Sequence, residues 1–337
     1  MAELRRDPVI GQWVIVYTEN SLGPEYYEKE DHTPYHTATC QFCPGREYQT
    51  PFEVDAIRTG GSAPNSPNWQ ARVVPNKFPA LKIEGNIEER WEGMFHMSNG
   101  IGAHEVLIET PVHEKHLADF TQGEVDDVIK LYQRRLRDLT KDRRFKYIII
   151  FKNYGVSAGT SVEHAHSQII ALPMIPKYVL EEIKGTKAYY DQHKRCAFCD
   201  IVEQEYQDQE RIILENDDFI AFCPFVSRYT FEYWIVPKQH PSKFSEMNDK
   251  ERYALAGILR ETLIRLKNCL SDPSYNYYLH VAPVNTEEAE EFHWHIEIVP
   301  KLTRTTGFER GTGFYVIRTS PKAAAGYLRN AQYASVA

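Results

Sequence analysis

Apolar residues recur at helical spacing in residues 121–132 and 248–259, and each stretch opens on a capping-type residue, Thr121 or Asn248, so the pattern predicts two amphipathic helices. Around them lie short runs rich in β-branched and aromatic residues, at 104–113, 147–151, 169–173, 233–237, 277–282 and 296–300, which predict strands. Several of these are joined by short connections, which favours antiparallel pairing. Residues 17–39 and 59–68 are polar and poor in aliphatic side chains, and the second stretch gathers Gly60, Gly61, Pro64 and Pro67, so both read as loops.

The elements come in the same order twice. Cys40 and Cys43, a strand-like run ending on His113, a helix, a β-rich run and His164-Ala165-His166 are followed by Cys196 and Cys199, a run ending on His240, a helix, a β-rich run and His293-Trp294-His295. The single histidine and the His-x-His are separated by roughly fifty residues in both copies, a spacing that points to internal duplication. The expected fold class is therefore α+β, with two related halves, each an antiparallel sheet with packed helices. The halves are assigned to residues 1–183 and 195–337, with 184–194 as the connection.

Composition narrows the function classes. A chain of 337 residues exceeds the usual single core and supports two domains. A net charge of -8 argues against a nucleic-acid partner and leaves room for a local basic pocket holding a small phosphorylated ligand. No apolar run approaches the roughly 20 residues that span a bilayer, and the first residues lack a signal-peptide core, so no membrane partner and a cytoplasmic location are expected.

In that setting the six cysteines are expected to be reduced. The two Cys-x-x-Cys pairs then read as metal ligands: Cys40, Cys43, His113 and His164 close one set at four, and Cys196, Cys199, His240 and His293 close another. His104 and His116 compete with His113 for the first set, and His280 and His295 are alternatives in the second. Two structural zinc ions per chain are expected, while Cys223 and Cys269 read as core residues.

The segment His164-Ala165-His166-Ser167-Gln168 carries the chemistry. On a strand, positions i and i+2 face one side, so His164 can anchor while His166 acts as a nucleophile. The glycine- and hydroxyl-rich run 151–161 just upstream suits backbone approach to phosphate oxygens.

These residues, together with Val74-Pro75-Asn76-Lys77-Phe78-Pro79-Ala80, Thr110-Pro111-Val112-His113 and Phe292-His293-Trp294-His295, resemble the galactose-1-phosphate uridylyltransferase family, a branch of the histidine-triad superfamily. The resemblance covers most of the chain and implies two histidine-triad-like halves. It implies ping-pong nucleotidyl transfer with His166 as nucleophile and Gln168 contacting the transferred phosphoryl group. It also implies that Asn76, Lys77 and Phe78 hold the nucleotide and that Asn153, Gly159 and Ser161 cradle the phosphates. Phe308, Gly311, Thr312 and Gly313 fall in the segment that receives the sugar phosphate, and a homodimer is expected. The chain departs from the family in lacking an arginine in the Trp13–Asn20 segment, and in having Ala165 where proline is usual. With Cys196, Cys199 and Gly311-Thr312-Gly313, these features look closer to the ADP-glucose phosphorylase branch.

Three functions are therefore carried forward. The first is a UDP-glucose:hexose-1-phosphate uridylyltransferase of galactose and carbohydrate metabolism. The second is an adenylyltransferase that uses inorganic phosphate as acceptor. The third is a zinc-braced nucleotide-binding protein without turnover.

Overall fold

The computed structural model describes residues 1–30, 37–241, 243–285 and 292–331. Part of the expected loop 17–39 and the last residues of the expected second domain lie outside these. The strands are β1 (Ala2–Arg6), β2 (Trp13–Tyr17), β3 (Asp55–Arg58), β4 (Trp69–Pro75), β5 (Glu89–Glu92), β6 (Phe95–Ser98), β7 (Ala103–Ile108), β8 (Tyr147–Tyr154) and β9 (His166–Leu172) in the first half. The second half supplies β10 (Ile212–Glu215), β11 (Phe219–Phe222), β12 (Tyr233–Pro237), β13 (Tyr275–His280), β14 (His295–Pro300) and β15 (Tyr315–Ile317). The helices are α1 (Gln122–Leu139), α2 (Lys177–His193), α3 (Ala197–Asp208), α4 (Asp249–Leu270), α5 (Gly307–Thr312) and α6 (Pro321–Asn330).

The two predicted helices begin where their caps place them. Thr121 accepts from the Glu124 amide while the Glu124 carboxylate takes the Thr121 amide, and Asn248 and Glu251 repeat the reciprocal pair at the start of α4. Both helices run well past the stretches read from sequence, to Leu139 and Leu270, and they pack against each other on one face of the sheet. Gln133 of α1 donates to the carbonyls of Phe244 and Met247, tying the two halves together through buried hydrogen bonds.

The expectation of one sheet per half is corrected in one respect: the strands form a single ten-stranded sheet, ordered β10-β11-β12-β14-β13-β8-β9-β7-β4-β3. Every neighbouring pair is antiparallel, and the order is a palindrome about the β13–β8 seam, where Tyr277 pairs with Lys152 and Leu279 with Ile150. Each half thus protects the other's inner edge strand, which by itself would expose unpaired backbone groups. The duplication seen in the sequence is a duplication of β3, β4, β7, β8 and β9 as β10 to β14.

The segment 184–194, expected as the connection between halves, is largely helical. Its first ten residues belong to the 17-residue helix α2, which ends at Lys194 in a left-handed C-cap. Segment composition alone concealed this, since α2 is weakly amphipathic and contains Gly185. Among the elements that went unread in the sequence are the outer strands β3, β4, β10 and β11, the helices α3, α5 and α6, the β5–β6 hairpin, and a small sheet in which β15 pairs in parallel with β2, itself antiparallel to β1. Among the described residues no helix is long and apolar enough to cross a membrane.

Candidate active site and metal clusters

Strand alternation sorts the two faces of β9. Ser167, Ile169 and Ala171 turn toward the helices, where the Tyr132 hydroxyl of α1 donates to Ser167 at 2.8 Å. His166, Gln168 and Ile170 occupy the opposite face. There His166 lies between two cavities, one of about 50 Å³ bordered by Asn153, Thr160 and His164, and one of about 140 Å³ bordered by Asn76, Lys77, Phe78, Ser161 and Gln168. The geometry thereby gathers His166 with Gln168, Asn76, Lys77, Phe78, Asn153 and Ser161.

Gly159, which borders neither cavity, follows the short helical turn 156–158 in a conformation with φ +88° that favours glycine. Nearby, Gly155 has φ +80°, and a Cβ there would lie 1.9 Å from the Ser274 hydroxyl, so the turn closes only with glycine. The sugar-phosphate candidates Phe308, Gly311, Thr312 and Gly313 lie in and just after α5 and border neither cavity beside His166. Gly307 and Arg310 instead face a broad groove shared with Glu30, Ser157 and Lys301.

The nucleophile candidate is set in its reactive form. His166 Nδ1 lies 2.8 Å from the His164 carbonyl, which assigns the proton to Nδ1 and leaves the Nε2 lone pair free. Burial, with the nearby Lys152 ammonium, pushes the imidazolium down to about 4, so the ring is neutral at pH 7. Lys152 is itself buried, pairs with Glu109 at 2.6 Å and donates to the His166 carbonyl at 3.0 Å. This ion pair clamps the backbone of the strand from the helix side. Phe42 closes over the ring edge with centroids 5.5 Å apart.

His104, considered from sequence as a metal ligand, has another place. Its Nδ1 accepts from the Ala80 amide at 3.1 Å, so Nε2 carries the proton and donates to Gln168 Oε1 at 2.8 Å. That bond fixes the orientation of the Gln168 amide, occupying Oε1 and leaving the NH₂ group to donate elsewhere. His104 is thus a positioning residue that sequence reading missed. Glu30 is another, since its carboxylate takes the amide and hydroxyl of Ser157 at 3.1 and 3.2 Å and pairs with Ser274, pinning the glycine-rich turn. Replacing His104 with alanine is expected to lower turnover about 10- to 100-fold, the usual effect of losing an orienting partner. In the Gln168→Ala background the same change should have little further effect, which a double-mutant cycle in turnover measures.

The cysteine and histidine sets assemble as the spacing implies. Cys40, Cys43, His113 and His164 bring four ligand atoms within 4.8 Å of one another, and Cys196, Cys199, His240 and His293 do the same. Sulfur-to-nitrogen separations of 3.3 to 3.6 Å in the first set and 3.6 to 3.8 Å in the second match the roughly 3.6 Å edge of a tetrahedron with ordinary zinc–ligand lengths.

In each set the buried histidine points Nδ1 at the sulfurs and its Nε2–H at a carbonyl. His164 reaches Thr110 at 2.7 Å and His293 reaches Pro237 at 3.0 Å, an arrangement that orients a ligating imidazole. Burial and the adjacent Cys40 push the Cys43 thiol up to about 11, so a thiolate pair there needs a cation to stabilise it. Both sets are closed, with all four positions filled by protein, which fits a structural ion. Cys223 is buried in the main core, and Cys269 packs against that core, as expected.

His280 and His295 belong to neither set. They stack at 4.7 Å and, with Glu182 of α2, form a third buried group whose ligand atoms lie within 4.8 Å of one another. Burial opposes a proton on His280, yet the Glu297 and Glu182 carboxylates win and raise it to about 10. Sequence spacing gave no signal for this group because Glu182 lies about a hundred residues from its partners.

The second half repeats the backbone geometry without the opening. His295 Nδ1 reaches the His293 carbonyl at 3.1 Å, as His166 reaches that of His164. Phe198, Trp234 and His280 enclose the His295 ring at 4.7 to 5.2 Å, leaving the residue 1% exposed.

Residues 1–176 match the family pattern described as galactose-1-phosphate uridyl transferase, N-terminal domain, and residues 182–310 match the corresponding C-terminal domain. Among curated relatives, an ADP-glucose phosphorylase of Arabidopsis thaliana is 34% identical over 97% of this chain and 92% of its own length. A galactose-1-phosphate uridylyltransferase of Thermotoga maritima is 28% identical over 98% and 99%. The crystal structure of an Arabidopsis thaliana ADP-glucose phosphorylase with bound ADP-glucose superimposes with a TM-score of 0.81 at 33% identity, covering 98% of both chains.

Proposed function

The chain belongs to the galactose-1-phosphate uridyl transferase family, and on that premise we propose that it is a UDP-glucose:hexose-1-phosphate uridylyltransferase working through a nucleotidyl-His166 intermediate. The observation that carries the reading is the neutral His166 ring, with Nδ1 tied to the His164 carbonyl and Nε2 left free between two cavities.

In the first displacement Nε2 attacks the α-phosphorus, an N–P bond forms and the P–O bond to the sugar phosphate breaks. The sugar 1-phosphate leaves with the bond electrons. In the second, a phosphate oxygen of the acceptor attacks the same phosphorus, the P–O bond forms, and the N–P electrons return to Nε2. The Nδ1 proton stays on the His164 hydrogen bond throughout, delocalising the positive charge that develops on the ring. Gln168 donates to the phosphoryl oxygens, while Ser161 and the 155–160 turn border the phosphates. Asn76, Lys77 and Phe78 hold the nucleoside side, and Lys77 supplies a positive charge.

Zinc at Cys40, Cys43, His113 and His164 would fix the loop that presents the His164 carbonyl, and zinc at Cys196, Cys199, His240 and His293 would brace the second half. The same reading takes the protein as a cytoplasmic homodimer in which the segment carrying Phe308, Gly311, Thr312 and Gly313 receives the sugar phosphate.

A second reading, adenylyl transfer from ADP-glucose to inorganic phosphate, is favoured by the 34% identity to the Arabidopsis phosphorylase. Incubation with α-labelled UDP-glucose and ADP-glucose, each in turn, separates the two. Label retained on the denatured chain from UDP-glucose supports the uridylyl reading, and retention from ADP-glucose alone replaces it with the adenylyl one. The third possibility, a binding protein without turnover, predicts retention from neither.

A further inference from the structure

The two copies of the fold differ on the strands that flank their paired histidines. In the first half Phe151 pairs with Gln168, two residues after His166, and in the second Tyr278 pairs with Glu297, two residues after His295. Leu279 therefore holds the place of Lys152. On the other side Val106 pairs with Gln168 and Trp234 with Glu297, so Val236 stands where Ile108 does.

Beyond that point the copies fall out of step. From Ile108 to the cluster histidine His113 the chain advances five residues, and from Val236 to His240 only four. The carbonyls that accept from the cluster imidazoles are those of Thr110 and Pro237, so these two correspond and Glu109 is the inserted residue. The half whose paired histidine is enclosed thus lacks both members of the Lys152–Glu109 pair, and Leu279 is a core residue with 1% exposure.

Burial makes such a pair costly. The Lys152 and Glu109 side chains are 1% and 0% exposed, and Glu109 Oε1 has no hydrogen-bond partner among the described residues. A buried ion pair replaced by apolar side chains of similar volume often leaves stability unchanged or raised, and the second half shows the same strands closing without one. The contacts that the pair makes lead instead to the nucleophile. Lys152 Nζ donates to the His166 carbonyl at 3.0 Å, and the Glu109 amide donates to the Ala165 carbonyl at 3.0 Å.

We infer that Lys152, anchored by Glu109, is a positioning residue for transfer at His166, kept for the reaction and dispensable for the fold. It makes and breaks no bond. His166 is held at its ring by the His164 carbonyl and at its main chain by Lys152, so Nε2 keeps one direction of approach. A misplacement of about 1 Å in an attacking atom costs on the order of 100-fold in rate. The inference rests on reading His166 as the nucleophile.

The test is the single-turnover rate of nucleotidyl transfer to His166, with whichever of α-labelled UDP-glucose and ADP-glucose labels the wild-type chain, beside thermal unfolding and metal content. The double variant Lys152→Met/Glu109→Leu gives the first half the apolar character of the second. It is expected to unfold at the wild-type temperature or above and to keep its metal content. Its transfer should be about 100-fold slower, with KM for the sugar nucleotide within about threefold of wild type. Glu109→Gln alone preserves the shape, an acceptor for Nζ and the bond from Lys152 to the His166 carbonyl, so it should transfer at least about tenfold faster than the double variant. A double variant that fails to fold, one that transfers within about threefold of wild type, or a Glu109→Gln chain no faster than the double variant would overturn the inference. A wild-type chain that takes no label from either sugar nucleotide would overturn the reading of His166 as nucleophile, a failure separate from any difference between variants.

Discussion

Replacing His166 with asparagine is expected to lower turnover by about 10⁴-fold or more, the scale on which loss of a covalent nucleophile acts. Asparagine keeps a polar group near the His164 carbonyl and occupies less volume, so the chain should still fold. Urea unfolding should show a change of about 1 kcal/mol, typical of a single substitution. The pairing of a very large kinetic effect with a small thermodynamic one separates a nucleophile from a buried structural histidine. The control lies within the molecule. His295 has the same hydrogen bond to its neighbour's carbonyl but is enclosed by aromatic rings. A substitution there should reverse the ranking, with stability falling more than the rate constant of the chemical step.

The second large effect concerns the cysteine and histidine clusters. Cys43→Ser is expected to abolish one bound metal ion and to destabilise the fold by about 4 kcal/mol or more, the range reserved for loss of a metal or disulfide. It should also suppress turnover, because His164 sits in that cluster and its carbonyl holds the His166 ring. Cys199→Ser should remove the other ion and lower stability similarly, yet turnover measured at a temperature where the variant stays folded should fall far less. Metal analysis by atomic emission on the two variants, beside calorimetry and steady-state rates, reads all three quantities. Equal kinetic losses in both variants would contradict the division between a half that performs chemistry and a half that supports it.

Much of this was legible in the sequence because the relevant signals are local or repeated. The capping pairs Thr121–Glu124 and Asn248–Glu251 lie three residues apart, and the helices begin where those pairs place them. Each cysteine–histidine cluster contains a Cys-x-x-Cys legible in the sequence, whereas the choice of His113 over His104 and His116, and of His240 over His280 and His295, came only with the geometry. The His-x-His needs only strand alternation to place His166 beside Gln168 on one face.

What escaped reading depends on long-range pairing. His104 and Gln168 meet because β7 and β9 are neighbours in the sheet, though 64 residues separate them in the chain. Glu30 reaches Ser157 across 127 residues from a stretch read only as polar loop. The fusion of two sheets into one rests on the β8–β13 register, which neither half encodes alone. Helix α2 was hidden for another reason: its mixed polar sequence gives little periodicity, and its place is set by contacts such as Glu182 with His280.

The central claim is that a nucleotidyl group resides on His166 between the two displacements. Its most direct test is intact-protein and peptide mass spectrometry after exposure to the sugar nucleotide with no acceptor present. The account predicts one nucleotidyl group per chain on the peptide containing His166, stable in alkali, lost in acid as a phosphoramidate is, and discharged when the acceptor is added. No adduct on the wild-type chain during active turnover, or an adduct of equal yield in His166→Asn, would contradict it.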